Sequence, residues 1–126
     1  MSPSDSHARR FIELRKHRRL TTPPGALLSF AQLAPAVEAA DASEGDGAIL
    51  NLSAGGCKIL SESPVTVGPR YRLIIQLPSF PTPITVEAAI VRWINDRMFG
   101  FRFDAIQQDQ EEQLHEVLHR LRAISA

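Results

Sequence analysis

The sequence predicts an all-β domain: a small six-stranded antiparallel barrel with a C-terminal amphipathic α-helix. Three observations carry this. Short runs of alternating apolar residues recur along the chain. Clusters rich in glycine, proline and asparagine or aspartate separate them. A single stretch, at the end, has the 3.6-residue period of a helix. A set of short strands followed by one amphipathic helix suits a small closed sheet with the helix laid against it.

Taken in order, Thr21-Thr22-Pro23-Pro24-Gly25 breaks any preceding helix and starts an extended segment. Residues 26–33 read as the first strand. Residues 34–46 are rich in alanine, acids and glycine and read as a loop. A short strand at 48–52 is joined through Gly55-Gly56 to another at 57–60. Residues 65–69 form a turn region, and in the strand at 70–77 Tyr71, Leu73, Ile75 and Leu77 alternate onto one face. Residues 78–83 are the next connection. The longest strand spans 84–94, with Ile84, Val86, Ala88 and Ile90 inward by period two. Asn95-Asp96-Arg97 fits a hairpin turn, and Phe99, Phe101 and Phe103 alternate on the strand after it. The helix covers about 107–122, where Leu114, Val117, Leu118 and Leu121 fall at i, i+3, i+4 and i+7.

With 126 residues, 44% apolar and 22% charged, the chain suits one folded domain. The apolar runs are far short of the ~20 residues a membrane span needs. No basic-then-apolar segment at the N-terminus marks a secretory signal. A single cysteine, Cys57, excludes an internal disulfide and a multi-cysteine zinc site. These features point to a reduced, cytoplasmic setting. The formal net charge is zero, which disfavours a broad nucleic-acid surface. That zero is an average of unlike regions. From His7 to Arg19 the six basic residues Arg9, Arg10, Arg15, Lys16, Arg18 and Arg19 face one acid, Glu13, for about +5. Residues 1–19 thus read as a basic arm, and 20–126 as the barrel with its helix.

Two motifs carry chemistry. Arg15 and Arg19 form an R-x-x-x-R pair within that arm. Asn51-Leu52-Ser53-Ala54-Gly55-Gly56 forms an N-x-S-x-x-G turn between two strands. Guanidiniums are planar, permanently charged donor forks suited to phosphate oxygens and to the O6/N7 edge of guanine. Asn51 and Ser53 add short polar side chains at a turn, and Gly56 allows a sharp turn or close approach to a ligand. A phosphate-rich ligand containing guanine would use all of these groups.

The two motifs, in this order ahead of a barrel pattern, resemble the PilZ domain, a bacterial receptor family for cyclic di-GMP. The resemblance runs from about Phe11 to Leu121 and includes the strand ending at Leu77-Pro78 and the Phe99-Gly100-Phe101-Arg102-Phe103 strand. It implies that Arg15 and Arg19 bind the phosphates and guanine bases, and that Asn51, Ser53 and Gly56 close over the other side of the ligand. Arg10 and Arg18 are accessory contacts on this reading. Leu14 offers neither charge nor an aromatic face, which points to one bound dinucleotide rather than a stacked pair. The resemblance also implies a downstream protein partner, engaged when the arm orders on the ligand. Two alternatives stand beside it: a PilZ-type adaptor that binds no nucleotide, and a nucleic-acid-binding barrel using the same arm.

The remaining candidates have plainer readings. His115-Glu116-Val117-Leu118-His119 spells H-E-x-x-H on a helix, but residues 120–126 supply no third ligand, and both histidines fall on the solvent flank. Cys57 reads as a packing residue and Trp93 as barrel core or rim. No P-loop, Rossmann fingerprint or acid–base carboxylate pair occurs, so the sequence indicates no enzyme and no cofactor or metal, only a ligand.

Overall fold

The computed structural model describes residues 20–33 and 44–125. Arg10, Arg15, Arg18 and Arg19, and residues 34–43 of the expected loop, lie outside the described residues. The elements are β1 (Leu20–Thr21), β2 (Leu27–Gln32), β3 (Glu44–Ser53), β4 (Gly56–Leu60), β5 (Arg70–Leu77), β6 (Phe80–Asn95), β7 (Met98–Ala105) and α1 (Gln108–Ser125). All pairings are antiparallel, in the order β1-β3-β2-β5-β6-β7-β4, and β4 pairs back onto β3. Six strands therefore close a ring, which removes the exposed sheet edges an open sheet would carry. The two-residue β1 stands outside that ring count. It continues along the β3 edge where β2 stops, with Leu20 opposite Leu52 and Thr21 opposite Asn51. Between them Thr22 Oγ1 donates to the Ile49 carbonyl, and the Ile49 amide donates to the Ala26 carbonyl at 2.9 Å.

The expected strands are present, and three boundaries and one phase differ from the sequence reading. Residues 44–46, expected in a loop, belong to β3: Glu44, Gly45 and Asp46 pair with Ala31, Phe30 and Ser29. A Cβ on Gly45 would lie 2.3 Å from Ser63 Cβ, so the glycine marks close packing in a strand rather than a loop. The connection expected over 78–83 is only Pro78-Ser79, because Leu77 already pairs with Phe80. The helix extends to Ser125 rather than 122.

Pro81 and Pro83 sit within β6 because its first half has no β7 neighbour; the β6–β7 ladder starts at Ala88. Proline is tolerated on such an open edge. The helix covers that edge with side chains. Gln113 Nε2 donates to the Thr82 carbonyl at 2.9 Å, and the Thr85 amide donates to Gln110 Oε1 at 2.7 Å. Helix and edge thus satisfy each other's polar groups.

The phase error lies in β6. Ile84 and Val86 point inward as expected and Ala88 is buried too, but the core cluster continues through Ala89 and Val91, and Ile90 is partly exposed. Leu73 pairs with Val86 and Tyr71 with Ala89, so three residues of β6 oppose two of β5. This β-bulge shifts the period-two pattern by one residue. The other strands keep their phase, with Tyr71, Leu73, Ile75 and Leu77 all buried in β5.

The core is aromatic at its centre. Phe101 meets Tyr71 and Phe99 edge-on at 5.6 and 5.5 Å between ring centroids, and Phe30 packs on all three. Leu114, Val117, Leu118 and Leu121 are buried on the helix as its period predicts, while His115 and His119 are exposed. Cys57 is buried in the same core. Among the described residues no group of three or more histidine, cysteine or acidic side chains is placed to hold a metal ion.

Candidate ligand-binding site

Asn51, Ser53 and Gly56 come together on one β-hairpin. Ser53 and Gly56 pair at its end, leaving Ala54-Gly55 as a two-residue turn between β3 and β4. The Ser53 hydroxyl accepts from the Gly55 amide at 3.2 Å and donates to the Gly56 carbonyl at 3.3 Å. Ser53 therefore holds the turn shape itself, as a hydroxyl often does at such positions. Gly56 has a structural reason as well. A Cβ there would stand 2.2 Å from the Phe101 carbonyl oxygen, so β4 and β7 meet too closely for any side chain. The Gly55 carbonyl accepts from the Phe103 amide at 2.9 Å, which fastens the hairpin tip to β7.

Asn51 faces outward rather than into the barrel, whereas the Ser53 side chain is buried at 3% exposure. Leu52, Cys57 and Ile59 are fully buried, so by alternation Asn51 and its partner Lys58 lie on the outer face. The register sets out a row across five strands: Thr21, Asn51, Lys58, Gly100 and Trp93. The adjacent row holds Ser53, Gly56 and Arg102. Lys58 and the exposed Arg102 thus bring two cations to the face that carries Asn51 and Ser53. The sequence held a signal for Lys58, which follows Gly56 by two residues and so shares its face. Arg102 had none, because its placement depends on the β4–β7 register.

Trp93 belongs to this outer face, not to the core or rim. Val91 pairs with Phe101 and Trp93 with Gly100, so Arg92 is an extra residue that turns the following side chain outward. The indole lies across Gly100, where a Cβ would come within 2.4 Å of Trp93 Nε1. An aromatic residue opposite a strand glycine fills the gap that the missing side chain leaves.

Other grooves form away from the hairpin turn, where β2 runs between β3 and β5. One, of about 430 Å³, is lined by Leu27, Ser29, Asp46 and Glu62 among others. A neighbouring one of about 410 Å³ includes Glu44, Asp46 and Arg72. Their carboxylates oppose a phosphate-bearing ligand, whereas the Asn51 face carries Lys58 and Arg102.

A family model described as the PilZ domain matches residues 13–120. The chain belongs to the PilZ domain family. This PilZ chain is similar in structure to Escherichia coli YcgR in complex with c-di-GMP, with 22% identity and a TM-score of 0.69 over 88% of this chain and 47% of that one. It is similar to the Bacillus subtilis inhibitor of motility MotI/DgrA, with 21% identity and a TM-score of 0.62 over 89% and 52%. It is also similar to the PilZ domain of E. coli YcgR with c-di-GMP, with 20% identity and a TM-score of 0.58 over 88% and 93%. At this identity the likeness is one of fold. The chain spans about half the length of the first two. No curated protein sequence matches it.

Proposed function

We propose that this PilZ domain is a receptor for cyclic di-GMP, bound on the outer face of the β3–β4 hairpin. The family match carries this reading, because residues 13–120 take in both the R-x-x-x-R pair and the N-x-S-x-x-G hairpin. The YcgR structures with c-di-GMP support the choice of ligand. Chain order supports the site: Leu20, the residue after Arg19 in the sequence, pairs with Leu52 beside Asn51.

On this reading Arg15 and Arg19 hold phosphates and guanine edges, with Arg10 and Arg18 as accessory cations. Asn51 and the Ser53–Gly56 turn form the opposing wall, and one dinucleotide binds per chain. The basic arm, residues 1–19, folds onto the ligand because two phosphates offset its self-repulsion. That ordering changes the exposed surface and so the affinity for a protein partner.

Calorimetric titration of the full chain with cyclic di-GMP, GTP and a short DNA duplex tests the reading. Saturable binding of the cyclic dinucleotide alone is the expected result. Tighter binding of the duplex would assign the arm to nucleic acid. No heat with any nucleotide would leave a PilZ-type adaptor that works by protein contact.

A further inference from the structure

We propose that an apolar row beside the hairpin is the seat of the arm's own apolar residues, Phe11, Ile12 and Leu14, when cyclic di-GMP is bound. This rests on the reading of the hairpin as the cyclic di-GMP site and concerns what else fixes the arm there. The register sets Met98, Leu60, Ala48 and Leu27 side by side across β7, β4, β3 and β2. All four lie on the outer face, since the neighbouring Phe99, Ile59, Ile49 and Leu28 are buried. Leu27 and Leu60 are 51% and 44% exposed, so the row is a contiguous apolar patch rather than a scattering of single residues. Leu60 follows Lys58 by two residues on β4, which puts this row next to that of Asn51 and Lys58. The groove of about 430 Å³ runs over Leu27, Ala48 and Leu60, with Asp46 at its border.

The chain itself supplies the occupant. Phe11, Ile12 and Leu14 stand among the basic residues of the arm, where a clamp for phosphates has no use for them. Residues 1–19 join the barrel at Leu20, opposite Leu52 on β3. Ala48 lies on the same strand, ~13 Å along it from Leu52. The stretch from Leu14 to Leu20 spans up to ~20 Å when extended, so Leu14 can reach the row and Phe11 can reach past it to Leu60. With Arg15 and Arg19 on a ligand above Asn51 and Lys58, the residues just before Arg15 arrive at the neighbouring row, ~7 Å away. Charge agrees with this, because the exposed Asp46 at the border complements the arm's surplus cations, Arg9 among them. Burial of these apolar groups then adds to ligand affinity although none of them touches the ligand.

A double-mutant cycle on the full chain, read by calorimetry with cyclic di-GMP, tests the seat. Leu60→Ser and Phe11→Ser should each weaken binding about fivefold, the worth of one partly buried apolar side chain. The double variant should lose little more than either alone, because the two side chains cover each other. Ile74→Ser on β5, where the side chain is also exposed, should bind as the parent does. Thermal melts without ligand establish that the variants fold. In the complex, nuclear Overhauser contacts should join the Phe11 ring to the Leu60 methyl groups within one chain. Three results overturn the seat and leave the receptor reading intact: losses that multiply to about 25-fold in the double variant, unchanged affinity in both single variants, or Leu60 contacts with residues 34–43 or a second copy instead. Absence of any binding to the unaltered chain overturns both.

Discussion

Phe101→Ala is expected to lower the stability of the domain by about 3–5 kcal/mol, the usual cost of removing a buried phenylalanine from a packed core. Phe101 is 1% exposed and is in ring contact with Phe30, Tyr71 and Phe99 at once. These rings come from β2, β5 and β7, on different sides of the closed sheet. The cavity left by alanine cannot collapse without moving strands that the ring closure fixes. Folded domains are stable by only about 5–15 kcal/mol, so the loss is a large part of the total. A drop in melting temperature of roughly 10–20 °C would follow. Phe103→Ala provides the comparison: this ring is partly exposed and outside the four-ring contacts, so its loss should cost much less. Equal losses at the two positions, by thermal or urea unfolding, would contradict the placement of the core.

Arg19→Ala is expected to weaken cyclic di-GMP binding by about 10- to 100-fold, the worth of one or two hydrogen bonds to a charged group. The double variant Arg15→Ala, Arg19→Ala should lose more than about 100-fold on the same scale. Arg19→Lys keeps the charge but not the planar fork, so it should recover only part of the affinity. Arg72→Ala serves as the control, because Arg72 lies on β5 in the groove that holds Glu44 and Asp46. Melting temperatures without ligand should be unaltered in the arm variants. If Arg72→Ala weakens binding as much as Arg19→Ala, the arm has no special role.

Much of this fold was legible because alternation is a local property. In β5 every second residue is apolar, and each of them is buried. What the sequence concealed depends on pairing between strands. The bulge that brings Ala89 and Val91 into the core in place of Ile90 arises from register against β5, and no residue of β6 announces it. The same holds for Trp93, which a second bulge turns to the outside. Glycines misled in a different way: Gly45 resembled loop composition but marks close packing in a strand.

The hairpin was legible as a motif, and its residues fall together as the spacing suggests. Their local roles were not legible. Ser53 closes its own turn, and Gly56 admits the Phe101 carbonyl, so both hold the shape of the hairpin. Lys58 and Arg102 join them only because β4 pairs with both β3 and β7.

The most direct test of the account is a map of backbone amide shifts by nuclear magnetic resonance as cyclic di-GMP is added to the full chain. Shifts should concentrate at Asn51, Ser53, Gly55, Gly56 and Lys58, with the Trp93 indole among them. Arg72, Ile74 and Gln76, on β5 across the ring, should stay unchanged. Shifts centred on the groove of Leu27, Ser29 and Asp46, with the hairpin silent, would contradict it.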